Sequence, residues 1–201
     1  MNRRLGVLIS GRGSNLRALA DAIGDGRLDA EIAVVISNRA EAPGLEDAKR
    51  TGLETVCIDH RAASSRDEHD RSVARELRAR NVGLVCLAGY MRLIGVPLLE
   101  AYPDAILNIH PSLLPAFPGV DAQRQALEHG VKVTGVTVHL VTAELDNGPI
   151  VIQRTVAVRS DDTPEMLSAR ILVEEHRAYA DAVGAVLDGG WRLEGRRFIG
   201  A

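Results

Sequence analysis

The sequence predicts an α/β protein: a Rossmann-like, open, mostly parallel twisted sheet flanked by helices, with an antiparallel strand in its C-terminal half. Three observations predict it. Short apolar runs alternate with stretches of helical spacing as far as His110, the pattern of β-α-β units and a parallel sheet covered on both faces. A glycine-rich turn joins the first strand to the first helix. Beyond Gly130 the alternation gives way to two long strand-like runs around a turn-rich loop, a hairpin-like pair that extends the sheet.

Each element has its own reason. Leu5-Gly6-Val7-Leu8-Ile9 is a short apolar run closed by Ser10-Gly11-Arg12-Gly13. From Ser14, the spacing of Leu16, Leu19, Ala20 and Ile23 is helical, and Gly24 and Gly26 end it. Ile32 to Ile36 is the second strand, followed by a helix starting near Pro43, and Thr55 to Ile58 is the third strand. Ser65 opens a charged helix through about Arg80 with Val73 and Leu77 inward; Leu84 to Ala88 and Ile106 to Ile109 are strands four and five. A short helix over Gln123 to His129 precedes the long strands Thr134 to Val141 and Pro149 to Val158. Thr163-Pro164-Glu165 reads as an N-cap followed by Pro at the first helical position, and that helix runs to about Leu187 before Gly189-Gly190. A small strand pair around Glu194-Gly195 closes the chain. One domain over 1–201 is expected, with halves over about 1–100 and about 101–201.

Composition narrows the function. A chain 46% hydrophobic and 25% charged is ordinary for a soluble globular protein, and a net charge of -3 gives no electrostatic case for nucleic acid. Cys57 and Cys86 lie in apolar runs and read as buried small hydrophobes, without metal spacing or a disulfide framework. There is no apolar signal segment and no run long enough for a membrane, so a cytoplasmic location is the expectation.

The stretch Asn108-Ile109-His110-Pro111-Ser112-Leu113-Leu114-Pro115 organises the chemistry. An apolar run leads into it and two prolines stop regular structure. Strand alternation puts Asn108 and His110 on one side and Ile109 on the other. An amide and an imidazole together at a strand end can polarise a carbonyl and hold the oxyanion that forms, or can simply close a strand as a satisfied polar pair. Asp146, in the loop Thr142 to Gly148, can approach a histidine and favour its charged form, although Asp-Asn-Gly also serves as a plain turn.

Gly11-Arg12-Gly13-Ser14-Asn15-Leu16 sits where helix amides attract phosphate. A dinucleotide fingerprint needs a third glycine at Leu16 and an acidic residue where Ser37-Asn38 stand, and a P-loop needs a lysine that is absent. A single phosphate held by Gly13, Ser14 and Asn15 remains reasonable beside a plain glycine turn. Met91-Arg92-Leu93-Ile94 follows the fourth strand at the carboxyl edge of the sheet, where it can line a pocket for a flat heterocycle or cap the core. Glu174-Glu175-His176 has no metal partner at i+4 and defaults to an exposed helix face.

Taken together, Ile9 to Asn15, Leu87-Ala88-Gly89-Tyr90-Met91-Arg92, Asn108 to Pro115, Leu145 to Pro149 and Glu175-His176 resemble the phosphoribosylglycinamide formyltransferases of the folate formyltransferase family. The resemblance runs over nearly the whole chain. It implies formyl transfer from 10-formyltetrahydrofolate to 5-phosphoribosylglycinamide in purine synthesis, with no metal, no nucleic acid and no membrane partner, and it leaves a homodimer open. It carries over Asn108, His110 and Asp146 as the catalytic trio. Gly13, Ser14, Asn15 and Glu175 would hold the phosphoribosylglycinamide. Arg66, Met91, Arg92, Leu93, Ile94, Asn108, Thr142, Ala143, Glu144, Leu145 and Asp146 would face the folate. Two positions depart from the family's pattern: Leu172, where relatives often carry a polar or basic residue near the phosphate, and Ala116 after the Ser-Leu-Leu-Pro run. Arg12 is the candidate to compensate for Leu172.

In the implied reaction the glycyl amine attacks the formyl carbon directly, with both substrates in one cleft and no covalent enzyme intermediate. Two rival readings are a formyltetrahydrofolate hydrolase, whose relatives usually add an N-terminal domain, and a phosphate-binding module without catalysis. A methionyl-tRNA formyltransferase would be expected to extend further at its C-terminus.

Overall fold

In the computed structural model, which describes residues 2–200, the chain runs β1 (Arg4–Ile9), α1 (Ser14–Gly24), β2 (Glu31–Ser37), α2 (Pro43–Arg50), β3 (Thr55–Cys57), α3 (Arg66–Ala79), β4 (Leu84–Leu87), α4 (Val96–Ala101) and β5 (Ile106–His110). It continues through α5 (Ala122–Glu128), β6 (Val133–Leu140), β7 (Ile150–Ala157), α6 (Pro164–Asp188), β8 (Arg192–Glu194) and β9 (Arg197–Ile199). The strands form a mostly parallel mixed sheet with antiparallel strands toward the C-terminus, flanked by helices. The chain divides into two compact units, the first ending at Leu107 and the second beginning at Asn108, so the boundary falls within β5.

In the first unit β1 lies between β2 and β4, parallel to both, and β3 is parallel to β2 at the edge. Leu5, Val7, Leu8 and Ile9 have no exposed surface, because helices on both faces leave no solvent side. This is why the run carries no polar alternation. Val73 and Leu77 of α3 turn into the core as their spacing requires.

In the second unit β6 and β7 pair antiparallel with Thr137 opposite Gln153, β9 adds to β7 in parallel, and β8 pairs antiparallel with β9. Leu167 and Ile171 of α6 pack with Ala126 and Val156. Thr163 caps α6 by accepting from the Met166 amide at 3.3 Å, and Pro164 takes the first helical position.

Two expectations are corrected. Cys57 is exposed rather than buried: it ends the edge strand β3, where one face is not covered, while Cys86 on the interior strand β4 is buried. Residues 96–101 form α4, a helix not expected from the sequence, since at under two turns it is too short to show a helical period. No helix among the described residues is long and apolar enough to cross a membrane.

Candidate active site

The second unit brings Asn108, His110 and Asp146 together. Asn108 and His110 leave the end of β5 on one side, and Ile109 faces the opposite one into the core. The chain then turns through Pro111 to Gly119, and this loop is pinned from beneath. The Thr137 hydroxyl accepts from the Leu114 amide at 3.0 Å and from Gln153 Nε2 at 3.0 Å, and donates to the Ser112 carbonyl at 2.7 Å. These three bonds use all of its capacity. Gln153 Nε2 also donates to the Leu114 carbonyl at 2.9 Å.

His110 is held at both nitrogens. Its Nε2 donates to the Phe117 carbonyl at 2.8 Å, and its Nδ1 lies 3.4 Å from Asp146 Oδ2. Both side chains are nearly buried, at 6% exposure each. The imidazole thus has a hydrogen-bond acceptor at each ring nitrogen, a carbonyl on one side and a carboxylate on the other. Asp146 Oδ2 also accepts from the Gly119 amide at 2.8 Å, while Oδ1 accepts from Asn108 Nδ2 at 3.5 Å.

His139 is the member of this group that the sequence reading missed. It is buried on β6, its Nδ1 donates to the Leu140 carbonyl at 2.9 Å, and its Nε2 accepts from Asn108 Nδ2 at 3.2 Å. Burial pushes its pKa below the ordinary histidine value, against the opposing pull of the Leu140 carbonyl and the Asp146 charge. It is neutral, which is what its acceptor role requires. Asp146 Oδ1 lies 3.8 Å away. The β6–β7 pairing shifts register between Val138 and His139, the kind of irregularity that is over-represented beside functional sites. The findable signal was Thr137-Val138-His139, two polar side chains at strand spacing in a mostly apolar strand.

Asp146 itself sits at φ 48, and Phe117 and Asp121 at φ 55. Left-handed backbone at an aspartate is tolerated, but at a bulky phenylalanine it is strained, and such strain collects where geometry is being enforced. The Asp146 loop depends on Gly148: a Cβ there would stand 1.7 Å from the Leu140 carbonyl oxygen, and Leu140 N donates to Pro149 O at 2.9 Å. Thr142, Ala143, Glu144 and Leu145 are exposed, and Asn147 donates to the Glu144 carboxylate. Glu175 and Leu172 are half-buried on α6.

The first unit holds the remaining candidates. Gly13 is the N-cap of α1 at φ 72, and a Cβ there would lie 3.0 Å from Gly44 Cα, so the turn closes against the start of α2. No side chain caps α1, so Ser14 is its first residue and not a cap. Asn15 is buried and Arg12 exposed. Met91 and Leu93 are exposed at 65% and 53%, Arg92 is half-buried, and Ile94 turns into the core. Of this quartet, Ile94 is thus a core residue. Arg66 is exposed in the first turn of α3.

The formyl transferase family model matches residues 3–183 of this chain. The chain is 55% identical to glycinamide ribonucleotide transformylase 1 from Symbiobacterium toebii, whose crystal structure superposes with a TM-score of 0.96 over 98% of this chain and 93% of that one. It is 40% identical over 187 residues to phosphoribosylglycinamide formyltransferase of Escherichia coli (strain K12), taking in 93% of this chain and 88% of that relative. It is also 46% identical over 186 residues to the trifunctional purine biosynthetic protein adenosine-3 of Gallus gallus. There the match takes in 92% of this chain and 18% of the relative, so the chain spans about a fifth of that protein's length.

Proposed function

The chain belongs to the formyl transferase family, and from that premise we propose that it transfers the formyl group of 10-formyltetrahydrofolate to the amine of 5-phosphoribosylglycinamide in purine synthesis. The single observation that carries the mechanism is the buried contact of His110 and Asp146 beside Asn108.

The glycyl amine attacks the formyl carbon, and negative charge builds on the formyl oxygen of a tetrahedral intermediate. Asn108 Nδ2 and an N–H of charged His110 stabilise that oxygen more strongly than the neutral carbonyl, which is the requirement for accelerating the step. Asp146 keeps His110 charged and assists the proton's passage from the attacking amine to the departing folate nitrogen. Both N–H groups of His110 and both hydrogens of Asn108 Nδ2 have protein acceptors here, so to serve the oxyanion His110 must exchange the Phe117 carbonyl or Asp146 for substrate, and Asn108 must exchange its long 3.5 Å contact to Asp146 Oδ1. His139 holds the Asn108 amide by accepting one of its hydrogens. The phosphate of phosphoribosylglycinamide is assigned to Gly13, Ser14 and Asn15, with Glu175 toward its amine-bearing part. The folate is assigned to Arg66, Met91, Arg92, Leu93, Ile94, Asn108 and residues 142–146.

Turnover of 10-formyltetrahydrofolate followed by absorbance, with and without phosphoribosylglycinamide, tests this. Folate release that depends strictly on the amine substrate is expected. Release at the same rate without it would make the protein a hydrolase, and no release in either case would overturn the reading.

A further inference from the structure

In the first unit lies a second buried polar group that the reaction does not use. Tyr90 to Gly95 runs from β4 to α4, and it is anchored along its length. At its start the Met91 amide donates to Ser10 Oγ at 2.8 Å, and Ser10 Oγ donates to Asn38 Oδ1 at 2.6 Å. At its end the Gly95 amide donates to Asp70 Oδ2 at 2.6 Å, and a Cβ on Gly95 would meet that same oxygen at 2.8 Å. Between these, the Tyr90 hydroxyl is 2.7 Å from His69 Nε2. His69 and Asp70 are adjacent on α3 and essentially without exposure.

We propose that His69 and Asp70 are positioning residues that hold Tyr90–Gly95 in the shape that receives the folate, an inference that rests on the folate assignment made above.

Three observations support it. First, the group is unfavourable to stability as built. His69 Nδ1, Asp70 Oδ1 and Arg92 Nε are buried and have no hydrogen-bond partner among the described residues, and apolar side chains would join α3 to α4 at lower cost. Second, burial pushes the His69 pKa down to about 4, so the ring is neutral and its contact with Tyr90 is a hydrogen bond and not an ion pair. Third, above these anchors Met91, Leu93 and Val96 expose apolar side chains, at 65%, 53% and 57%. Apolar side chains held outward by a polar base suit a flat heterocycle better than they suit solvent.

Steady-state kinetics with both substrates varied, beside calorimetric titration with 10-formyltetrahydrofolate, tests the proposal. Asp70→Ala is expected to raise the folate KM and Kd about tenfold, the loss of one buried charged acceptor, with the phosphoribosylglycinamide KM and kcat within about twofold of wild type. Asp70→Asn keeps an oxygen for the Gly95 amide and is expected to recover most of the affinity. Should Asp70→Ala not fold, Tyr90→Phe removes a single oxygen and is expected to raise the folate KM about threefold. An unchanged folate KM in the variants that fold would overturn the inference, as would a rise in both KM values with no rescue by Asp70→Asn. Wild-type protein that neither binds nor turns over the folate would overturn the folate assignment and this inference with it.

Discussion

Both units bury a histidine and an aspartate, yet they use them oppositely. In the second unit the carboxylate of Asp146 faces His110 directly, at 3.4 Å, and the ring's other nitrogen also meets an acceptor. In the first unit His69 and Asp70 are chain neighbours that turn to different partners, the Tyr90 hydroxyl and the Gly95 amide. The first arrangement sets an acceptor at each nitrogen of the ring, beside the Asn108 amide. The second leaves a neutral ring and a carboxyl whose pKa burial raises, suited to holding backbone in place. What separates a reacting pair from a supporting one is therefore which atoms face each other, not residue type or burial.

The sharpest way to break this comparison is to remove the charge that faces His110. Asp146→Asn is expected to lower kcat by about 10³-fold, the scale of a lost acid-base partner with its electrostatic stabilisation. His69→Phe, which leaves that pairing untouched, is expected to keep kcat at saturating folate within about threefold of wild type. Steady-state kcat for both variants checks this, and comparable losses would erase the distinction.

Much of this was legible in the sequence because local rules sufficed. The apolar run before Asn108, the prolines after it and the spacing of strands and helices placed β5 and its polar end correctly. Ser65 and Thr163 announced their helices by capping chemistry. His139 was passed over: its spacing from Thr137 within Val133–Leu140 was a readable sign, but its partner Asn108 is brought to it only by the fold. Met91 to Ile94 could line a pocket or cap the core on paper, and the structure divides the run, with Met91 and Leu93 exposed and Ile94 buried, while α4 is too short to show a period. The break between Leu107 and Asn108 left no mark in composition, since it falls inside one strand.

The next largest effect concerns how Asp146 is delivered. Gly148→Ala would set a Cβ 1.7 Å from the Leu140 carbonyl oxygen, a backbone clash with no rotamer to relieve it. A loss of about 3 kcal/mol in unfolding free energy is expected, with kcat falling as the loop shifts. Urea denaturation measures the first and turnover the second. Stability lost with kcat intact would mean that Asp146 is positioned by Gly119 and Asn108 alone.

Both units carry a buried histidine that answers to acid, and the sign can be worked out for His69. Its folded pKa of about 4 lies below the ordinary 6.5, so as pH falls below about 6.5 the unfolded chain takes up a proton that the folded chain refuses. Its contribution to stability is present above that value and is lost progressively toward about pH 4. His139 acts in the same direction, and Asp70, with a raised pKa, in the opposite one as pH approaches its ordinary value. Between about pH 6.5 and 5, wild type is expected to lose about 2 kcal/mol more than His69→Phe. Denaturant midpoints at the two pH values decide it, and parallel losses would place the acid sensitivity elsewhere.

The smallest effect separates the two supporting helices. Ser65 caps α3 by accepting from the Glu68 amide at 3.1 Å, and Thr163 caps α6 by accepting from the Met166 amide at 3.3 Å. Replacing either by Ala is expected to cost about 1 kcal/mol, since one first-turn donor loses its partner in each. Their effects on folate binding should differ. His69 and Asp70 stand in the second turn of α3, within reach of fraying from Ser65, whereas Glu175 stands three turns into α6, behind Leu167 and Ile171, which have no exposed surface. Ser65→Ala is thus expected to raise the folate KM about twofold while Thr163→Ala leaves both KM values unchanged. Equal KM values in the two variants at equal loss of stability would show that Tyr90–Gly95 keeps its shape without the first turn of α3, leaving His69 and Asp70 to hold it from the helix interior.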